Sequence, residues 1–213
     1  MKTITVVRHG KANTGATDAE SYDLLSDMGK EQAALVGAYL KGTGKYKRAI
    51  CGTLRRHIET VEFADMGLPV TQDARLNEFP FFELGQAVER DFGLPFPQDD
   101  QAFEPFFTKQ MEIWEDYAGR LGIPGRAALT QGVIDVLHEI DAETVVISSG
   151  GIIGLLGAAA LDLTPAATTK FVIPVAHTSI HRFRVMPDRI LLEKYCSIPH
   201  LDRADQRHLV TFA

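Results

Sequence analysis

The sequence predicts a three-layer α/β/α fold with a mainly parallel, doubly wound sheet. Short apolar runs such as residues 144–148 are typical of buried strands. Helical segments alternate with these runs: residues 27–41 have an amphipathic pattern, and residues 150–161 are apolar throughout. No internal repeat interrupts this alternation. Strands that alternate with helices indicate a layered α/β fold with helices on both faces of the sheet.

The first elements follow from local composition. Residues 3–8 are rich in Thr, Val and Ile and predict a buried strand, and a polar loop follows from residue 10 to about residue 23. Ser26 is the predicted N-cap of the helix over 27–41, which Gly42 and Gly44 end. The next predicted elements are a strand at 47–51, a helix from 54 to about 66 and a short strand at 70–71.

Residues 79 to about 120 differ in character from the rest of the chain. Eight of the 12 phenylalanines lie between Phe79 and Phe107, mixed with four prolines. This composition predicts an inserted, aromatic-rich and partly helical cap within one domain that spans residues 1–213. Two interpretations of the aromatic side chains stay open, namely a small satellite core and a wall that faces the substrate.

The regular alternation returns after the aromatic segment. The predicted elements are a helix at 125–140, the strand at 144–148, the helix at 150–161 and two strands at 178–185 and 189–195. Pro187 and Asp188 join the last two strands and are typical of a hairpin turn.

Bulk properties exclude several classes of protein. With 213 residues, 45% apolar and 23% charged, the composition is that of a soluble globular protein. The net charge of -6 argues against general binding to nucleic acid or to an anionic membrane. The N-terminal apolar run is too short for a signal peptide, and no run is long enough to cross a membrane, so we expect a cytoplasmic protein. Cys51 and Cys196 have no metal-like or CxxC spacing, which argues against a disulfide framework.

Polar groups follow three of the predicted strands. Residues 8–10 read Arg-His-Gly, residues 52–56 read Gly-Thr-Leu-Arg-Arg, and residues 148–151 read Ser-Ser-Gly-Gly. A fourth group, residues 77–78 (Asn-Glu), precedes the aromatic segment. Ligands of open α/β sheets gather at the carboxyl ends of the strands, so we expect these groups to form one site.

His9 is the predicted nucleophile of a phosphoryl transfer. A neutral imidazole nitrogen attacks phosphorus and carries the group as phosphohistidine. A flanking arginine such as Arg8 binds phosphate oxygens with a bidentate fork, and its charge disfavours the imidazolium form of His9.

Other groups fit the same chemistry. Ser149 and Gly150 begin a predicted helix, whose N-terminal N–H groups are donors for phosphate. Glu78 is an acid that could protonate the leaving alkoxide. Each feature also has a plain structural interpretation. Arg55 and Arg56 also fit the solvated first turn of a helix. Glu78 also fits an ordinary surface acid, and Ser149 also fits a residue that satisfies the N–H groups at a helix N-terminus. Their joint occurrence at strand ends favours a phosphate site.

Three other enzyme classes fit the sequence less well. A dinucleotide-binding protein has GxGxxG after its first strand, where this chain has Arg-His-Gly-Lys-Ala. A cysteine-dependent phosphatase needs an arginine six positions after the cysteine, and residue 57, six after Cys51, is a histidine. A serine hydrolase has GxSxG, to which Ile-Ser-Ser-Gly-Gly at residues 147–151 is a poor match.

The order of these motifs resembles the histidine phosphatase superfamily, the phosphoglycerate-mutase-like proteins. Residues 6–10 look like its N-terminal signature. Residues 25–33 resemble L-S/T-x-x-G-x-x-Q-A, residues 53–60 resemble S-x-L-x-R-A-x-Q-T, and residues 76–78 resemble L-x-E. The resemblance implies that His9 accepts the phosphoryl group, that Arg8 and Arg56 bind phosphate and that Glu78 donates a proton. The aromatic segment then corresponds to the variable cap of the family. The histidines show no ligand-like spacing, so we expect no metal, and we expect no cofactor.

One position departs from the family pattern. Ser149 stands where the superfamily normally has a second histidine, within S-H-G, that helps to bind the transferring phosphoryl group, and the sequence is similar to a bacterial subset with S-G-G there. His177, in a segment that resembles the family's N-x-S-I/V strand, is a candidate for the missing imidazole, and a polar residue at the strand entry is the alternative. His200 resembles a C-terminal H-L element without an assigned role.

The expected function is therefore a phosphatase that hydrolyses a phosphomonoester through phosphohistidine on His9. The alternative is a catalytically weak or inactive member that binds phosphorylated ligands. Ser149 argues against a phosphoglycerate-type mutase, which has to retain and return the phosphoryl group. The expected partner is a phosphorylated small molecule or phosphoprotein, and the phenylalanines favour a partly apolar leaving group. The sequence specifies neither the substrate nor the oligomeric state.

Overall fold

The computed structural model describes residues 1–13 and 23–212 of the chain. Within them, six strands form one sheet: β1 (Lys2–Arg8), β2 (Arg48–Cys51), β3 (Val70–Gln72), β4 (Thr144–Ser148), β5 (Ile180–Val185) and β6 (Ile190–Ser197). The α-helices of the described residues are α1 (Asp27–Gly42), α2 (Arg55–Ala64), α3 (Phe81–Phe92), α4 (Asp100–Leu121), α5 (Arg126–Glu139), α6 (Gly150–Leu161) and α7 (Pro165–Val172).

The sheet has the order β3-β2-β4-β1-β5-β6. The first four strands in this order pair in parallel, whereas β5 and β6 form an antiparallel hairpin at the other edge. The pairs Arg8–Ser148 and Cys51–Ile147 fix the register of the three central strands, so that their carboxyl ends lie side by side. The predicted mainly parallel sheet is confirmed.

Side chains of the central strands alternate between the two faces of the sheet, as the strand period requires. Ile4 and Val6 of β1 pack in one hydrophobic cluster with α3, α4, α5 and α6. Val7 packs on the opposite face against Val36 of α1 and Val61 of α2. Helices therefore cover both faces, which confirms the predicted three-layer α/β/α fold.

The aromatic segment packs into the larger of these two clusters. Phe79, Phe106 and Trp114 are buried together with Ile4 and Val6 of the central strand. Of the two interpretations made from the sequence, a separate satellite core is wrong, because these rings extend the main core. The boundaries of an inserted cap at about 79–120 stay a prediction.

The ends of the predicted strands and helices lie within two residues of their ends in the structure. The Ser26 hydroxyl caps α1 by accepting from Gly29 N at 3.1 Å, as predicted. Strand β5 begins two residues later than predicted, and Thr178 before it has a positive φ of 57°. Strand β6 runs two residues further, to residue 197. A short 3-10 helix at Ala74–Leu76 and helix α7 were not predicted, although Thr164 and Pro165 carry the N-cap and N1 signals of α7.

Most of the polar loop predicted at 10–23 lies outside the described residues. Among the described helices, none combines the length and the apolar character that a membrane span requires.

Candidate active site

The carboxyl ends of β1 and β4 open into a cavity of about 220 Å³. The groups predicted from the sequence meet there, although they come from distant parts of the chain. The polar residues that line the cavity are Arg8, His9, Arg56, Glu78, Gly150, Gly151 and His177. Five phenylalanines of the aromatic segment close the other side: Phe79, Phe81, Phe82, Phe103 and Phe107.

His9 directly follows β1 and is almost fully buried. Its Nδ1 lies 2.7 Å from the carbonyl oxygen of Gly10. A carbonyl oxygen only accepts hydrogen bonds, so Nδ1 carries the proton and Nε2 keeps its lone pair. Burial lowers the pKa of His9 well below its usual value, and the nearby charges of Arg56 and Arg8 lower it further. The ring is therefore neutral, with Nε2 as its basic and nucleophilic atom.

Backbone hydrogen bonds hold His9 at the strand end. Its N–H donates to Ser148 of β4 at 2.9 Å, and its carbonyl accepts from Thr178 N at 3.3 Å. The next residue, Gly10, donates its N–H to the Thr60 hydroxyl of α2 at 3.0 Å. Elements on three sides therefore fix the imidazole relative to the sheet.

Two arginines flank the imidazole. Arg8 is buried, and its guanidinium donates to the carbonyl of Val175. Arg56 lies in the first turn of α2 and forms an ion pair with Asp23, whose second oxygen accepts from Arg55 N at 2.8 Å. Asp23 thus orients Arg56 and satisfies a free N–H group at the start of the helix. The side chain of Arg55 is 59% exposed and points to Glu59, whereas that of Arg56 is only 11% exposed, so Arg56 is the arginine of the cavity.

Glu78 is partly buried, and its carboxyl group lies at the cavity wall. Its oxygens accept from Phe79 N at 3.0 Å and from Gly151 N at 3.5 Å. Burial raises the pKa of Glu78, and the opposing effect of Arg56 and the other nearby donors does not reverse this. A Cβ atom on Gly151 would lie 2.3 Å from the carboxyl oxygen, so only glycine allows this approach. The site therefore favours the protonated form of Glu78 more than water does.

Ser149 occupies the N-cap position of α6, but its side chain makes no capping hydrogen bond. Its hydroxyl lies 2.7 Å from Nε2 of His57 instead. Ser149 itself is fully buried, whereas Gly150 and Gly151 line the cavity. The N-terminus of α6, the positive end of its helix dipole, therefore lies beside the cavity, where it favours an anion.

His57 is the site residue that the sequence interpretation missed. It is fully buried in α2, and its ring centroid lies 5.5 Å from that of His9. Burial lowers the pKa of His57 well below its usual value, and the charge of Arg56 lowers it further. A Cβ atom on Gly52 would lie 2.2 Å from His57 Nδ1, so the glycine of the 52–56 motif makes room for the ring. The available signal was its position: residue 57 follows Arg56 where the family motif has alanine.

His177 and His200 lie on the β5 side of the site. The ring of His177 is centred 5.8 Å from that of His9, and its Nδ1 lies 3.0 Å from the Thr211 hydroxyl and 3.2 Å from the Thr211 carbonyl. Burial is the main reason why the pKa of His177 lies well below its usual value. His200 is 2.9 Å from the hydroxyl of Thr178, the residue whose N–H holds the His9 carbonyl.

The fold and the site define a class of α/β proteins. In this class, a histidine flanked by two arginines lies at the carboxyl end of a central strand in a mainly parallel sheet. A sequence model of the histidine phosphatase superfamily, branch 1, matches residues 4–197. The chain belongs to this superfamily, which confirms the resemblance seen in its motifs. No curated protein sequence matches the chain.

Solved structures of phosphatases share the fold. A mycobacterial glucosyl-3-phosphoglycerate phosphatase in complex with VO3 is 21% identical, with a TM-score of 0.64 over 93% of this chain and 100% of that one. A mutant phosphoserine phosphatase from Entamoeba histolytica, in complex with phosphoserine, is 18% identical, with a TM-score of 0.63 over 94% and 100% of the two chains. At this identity the likeness concerns the fold.

Proposed function

We propose that the protein is a phosphatase that hydrolyses a phosphomonoester through phosphohistidine on His9. The observation that carries the proposal is the hydrogen bond from His9 Nδ1 to the Gly10 carbonyl, which leaves Nε2 unprotonated in a cavity with Arg8 and Arg56. The family and its phosphatase neighbours support hydrolysis of phosphate esters.

In the first step, His9 Nε2 attacks phosphorus while the bond from phosphorus to the ester oxygen breaks. Arg8 and Arg56 bind the phosphoryl oxygens and compensate the charge that spreads over them in the transition state. The N–H group of Gly150, at the start of α6, adds a further donor. Glu78, whose carboxyl pKa is raised by burial, gives its proton to the leaving alkoxide.

In the second step, a water molecule attacks phosphorus and the bond to His9 Nε2 breaks. Glu78 is now a carboxylate and accepts a proton from the water, which returns the acid to its starting state. Inorganic phosphate leaves, and His9 is again the neutral tautomer that the Gly10 carbonyl selects.

Ser149 takes the place of the second histidine as a donor to the phosphoryl group. The His57 contact supports this role, because a ring N–H that donates to the Ser149 oxygen leaves the hydroxyl proton for a phosphate oxygen. His177 remains a candidate for the second imidazole, since it lines the cavity. Its Nδ1 contacts both the hydroxyl and the carbonyl of Thr211, and the hydroxyl can donate to Nδ1. Neutral His177 with its proton on Nε2 is therefore compatible with these contacts and would donate to phosphate.

The substrate in this proposal is a phosphorylated small molecule or phosphoprotein, and neither nucleic acid nor a membrane takes part. The alternative function is binding of phosphorylated ligands with slow or no turnover, which the loss of the usual histidine at position 149 favours. A mutase is the third candidate, and it requires the phosphoryl group to return to a second substrate.

The test is hydrolysis of p-nitrophenyl phosphate by the wild type and by His9→Ala, with the exposed His138→Ala as control. We expect steady turnover by the wild type and the control, acid-labile phosphate on His9 after rapid quenching, and loss of both in His9→Ala. Phosphate binding without turnover would establish the binding module instead. Transfer of the phosphoryl group to an added alcohol in preference to water would establish the mutase.

A further inference from the structure

The cavity lining combines two kinds of chemistry. Its charged and titratable groups include Arg8, His9, Arg56 and Glu78. The apolar part of the lining consists mostly of phenylalanine rings, namely Phe79, Phe81, Phe82, Phe103, Phe107 and Phe212, together with Val172. Because both kinds of group line one cavity, an ester whose phosphate is bound by the arginines places its leaving group against these rings.

The aromatic wall is built from rings that hold one another in place. Phe79 makes edge-to-face contacts with Phe81 and Phe107, at centroid distances of 5.8 and 5.5 Å, and Phe103 stacks on Phe107 at 5.4 Å. Phe79 and Phe107 also belong to the main core. The wall is therefore largely formed before a ligand arrives, which lowers the entropy that binding has to overcome.

Charges around the cavity discriminate against an anionic leaving group. Among the described residues that line it, Arg8 and Arg56 are the only arginines or lysines, and both are needed for the phosphate. A carboxylate on the leaving group would thus lose its water against phenylalanine rings, in a lining whose described residues offer no further cation, which is unfavourable.

We propose that the substrates are phosphomonoesters whose leaving alcohol carries an uncharged aromatic or bulky apolar group, and that esters with a carboxylate near the phosphate are poor ligands. This inference rests on the phosphate site of the proposed function. It concerns selectivity for the leaving group, so binding measurements test it separately from turnover.

The probes are three phosphonates that no phosphatase hydrolyses: ethylphosphonate, 2-phenylethylphosphonate and 3-phosphonopropionate. Calorimetry with the wild type should give a Kd for 2-phenylethylphosphonate at least about 10-fold lower than for ethylphosphonate, because the phenyl ring buries apolar surface. The carboxylate compound should bind no better than ethylphosphonate. Equal affinities for the ethyl and phenylethyl compounds, or tightest binding of the carboxylate, would overturn the inference.

Variants of the wall locate the effect. Phe82 lines the cavity but is 54% exposed, so Phe82→Ala leaves the core intact and should reduce the phenylethyl preference at least about threefold. Phe63→Ala is the matched control, because Phe63 is 41% exposed on α2 and lies outside the cavity lining. Phe82→Arg should raise the affinity for 3-phosphonopropionate relative to ethylphosphonate. Identical preferences in the Phe82 and Phe63 variants would contradict the assignment of this wall.

Turnover of p-nitrophenyl phosphate decides the proposed phosphatase activity independently of these affinities. A protein that binds 2-phenylethylphosphonate best but hydrolyses no ester would retain the inferred selectivity and lose the proposed activity. A protein that hydrolyses esters but prefers the carboxylate ligand would retain the activity and lose the inferred selectivity.

Discussion

The Nε2 atom of His57 lies 2.7 Å from the Oγ atom of Ser149, and neither side chain is accessible to solvent. Nδ1 of His57 has no hydrogen-bond partner among the described residues. An N–H group buried without a partner costs free energy, so the proton belongs on Nε2, where it is donated to Ser149. The serine hydroxyl then keeps its own proton for a third group.

This relationship predicts that His57 positions Ser149 for catalysis. Ser149→Ala removes a donor to the transition state, and we expect kcat for p-nitrophenyl phosphate to fall about 10²-fold. His57→Ala should lower kcat by a similar factor, and the double variant should be no slower than Ser149→Ala, because both changes remove one shared interaction. The measurement is kcat, together with the inhibition constant of vanadate.

Two comparisons make this prediction specific. His181→Ala also removes a buried histidine, but one that bonds to Ser179, so it should leave the double-mutant coupling between His57 and Ser149 intact. His177→Ala tests the competing candidate for the second imidazole. Additive losses in the His57 and Ser149 variants, or a large loss in His177→Ala alone, would argue against the serine as the donor.

Glu78 should matter most when the leaving group is basic. Glu78→Gln is expected to reduce kcat on ethyl phosphate by about 10²–10⁴-fold and to reduce it much less on p-nitrophenyl phosphate, because p-nitrophenolate leaves without a proton. The exposed Glu89→Gln on α3 is the control. An equal loss on both esters would show that Glu78 has a structural role.

The same carboxyl group sets the alkaline side of the pH profile. Burial raises the pKa of Glu78, and the proton donor is lost as the pH rises through that raised value. Burial and the two arginines lower the pKa of His9, so the nucleophile stays neutral to a pH below the usual histidine range. We expect kcat on ethyl phosphate to fall at high pH in the wild type, and this fall to be absent from Glu78→Gln.

Arg56 and its neighbour Arg55 provide a matched pair of variants. Arg56→Lys keeps the charge but loses the bidentate fork, and a lost hydrogen bond to a charged group is worth about 1.5–3 kcal/mol. The inhibition constant of inorganic phosphate should therefore rise about 10–100-fold. Arg55→Lys changes an exposed side chain outside the cavity, so the inhibition constant of phosphate should stay within about twofold of the wild-type value. A similar effect of the two substitutions would remove the specific role of Arg56.

Buried His181 should make the stability of the protein depend on pH. Burial, followed by the charge of Arg8, lowers its pKa from 6.5 to about 3 in the folded protein. The folded state thus excludes a proton that the unfolded chain binds, so stability is present above pH 6.5 and is lost as the pH falls towards 3. His181→Asn should reduce the slope of unfolding free energy against pH by about 1.4 kcal/mol per pH unit.

Urea unfolding between pH 7 and pH 5 measures this slope in the wild type and in His181→Asn. The exposed His138→Asn serves as the control, because its side chain meets solvent in both states. Equal slopes in all three proteins would show that His181 does not stay neutral in the folded state.

Local sequence was enough for most of the fold. The Ser26 cap, the buried 144–148 strand and the apolar run at 150–161 each have a signal within a few residues, and the structure has these elements at the predicted places. Helix α7 was not predicted, although Thr164 and Pro165 are typical of a helix start. Its eight residues are too few to show a clear helical period.

By itself, the sequence determined the α/β fold class and the family, and it predicted that Arg8, His9, Arg56 and Glu78 share one site. Strand order and ligand position follow general rules for such sheets, so motifs alone predict this much. Only the tertiary structure decided the protonated nitrogen of His9 and the joining of the aromatic segment to the main core. It also decided the pairing of His57 with Ser149, because hydrogen bonds between residues 92 positions apart leave no local pattern in the chain.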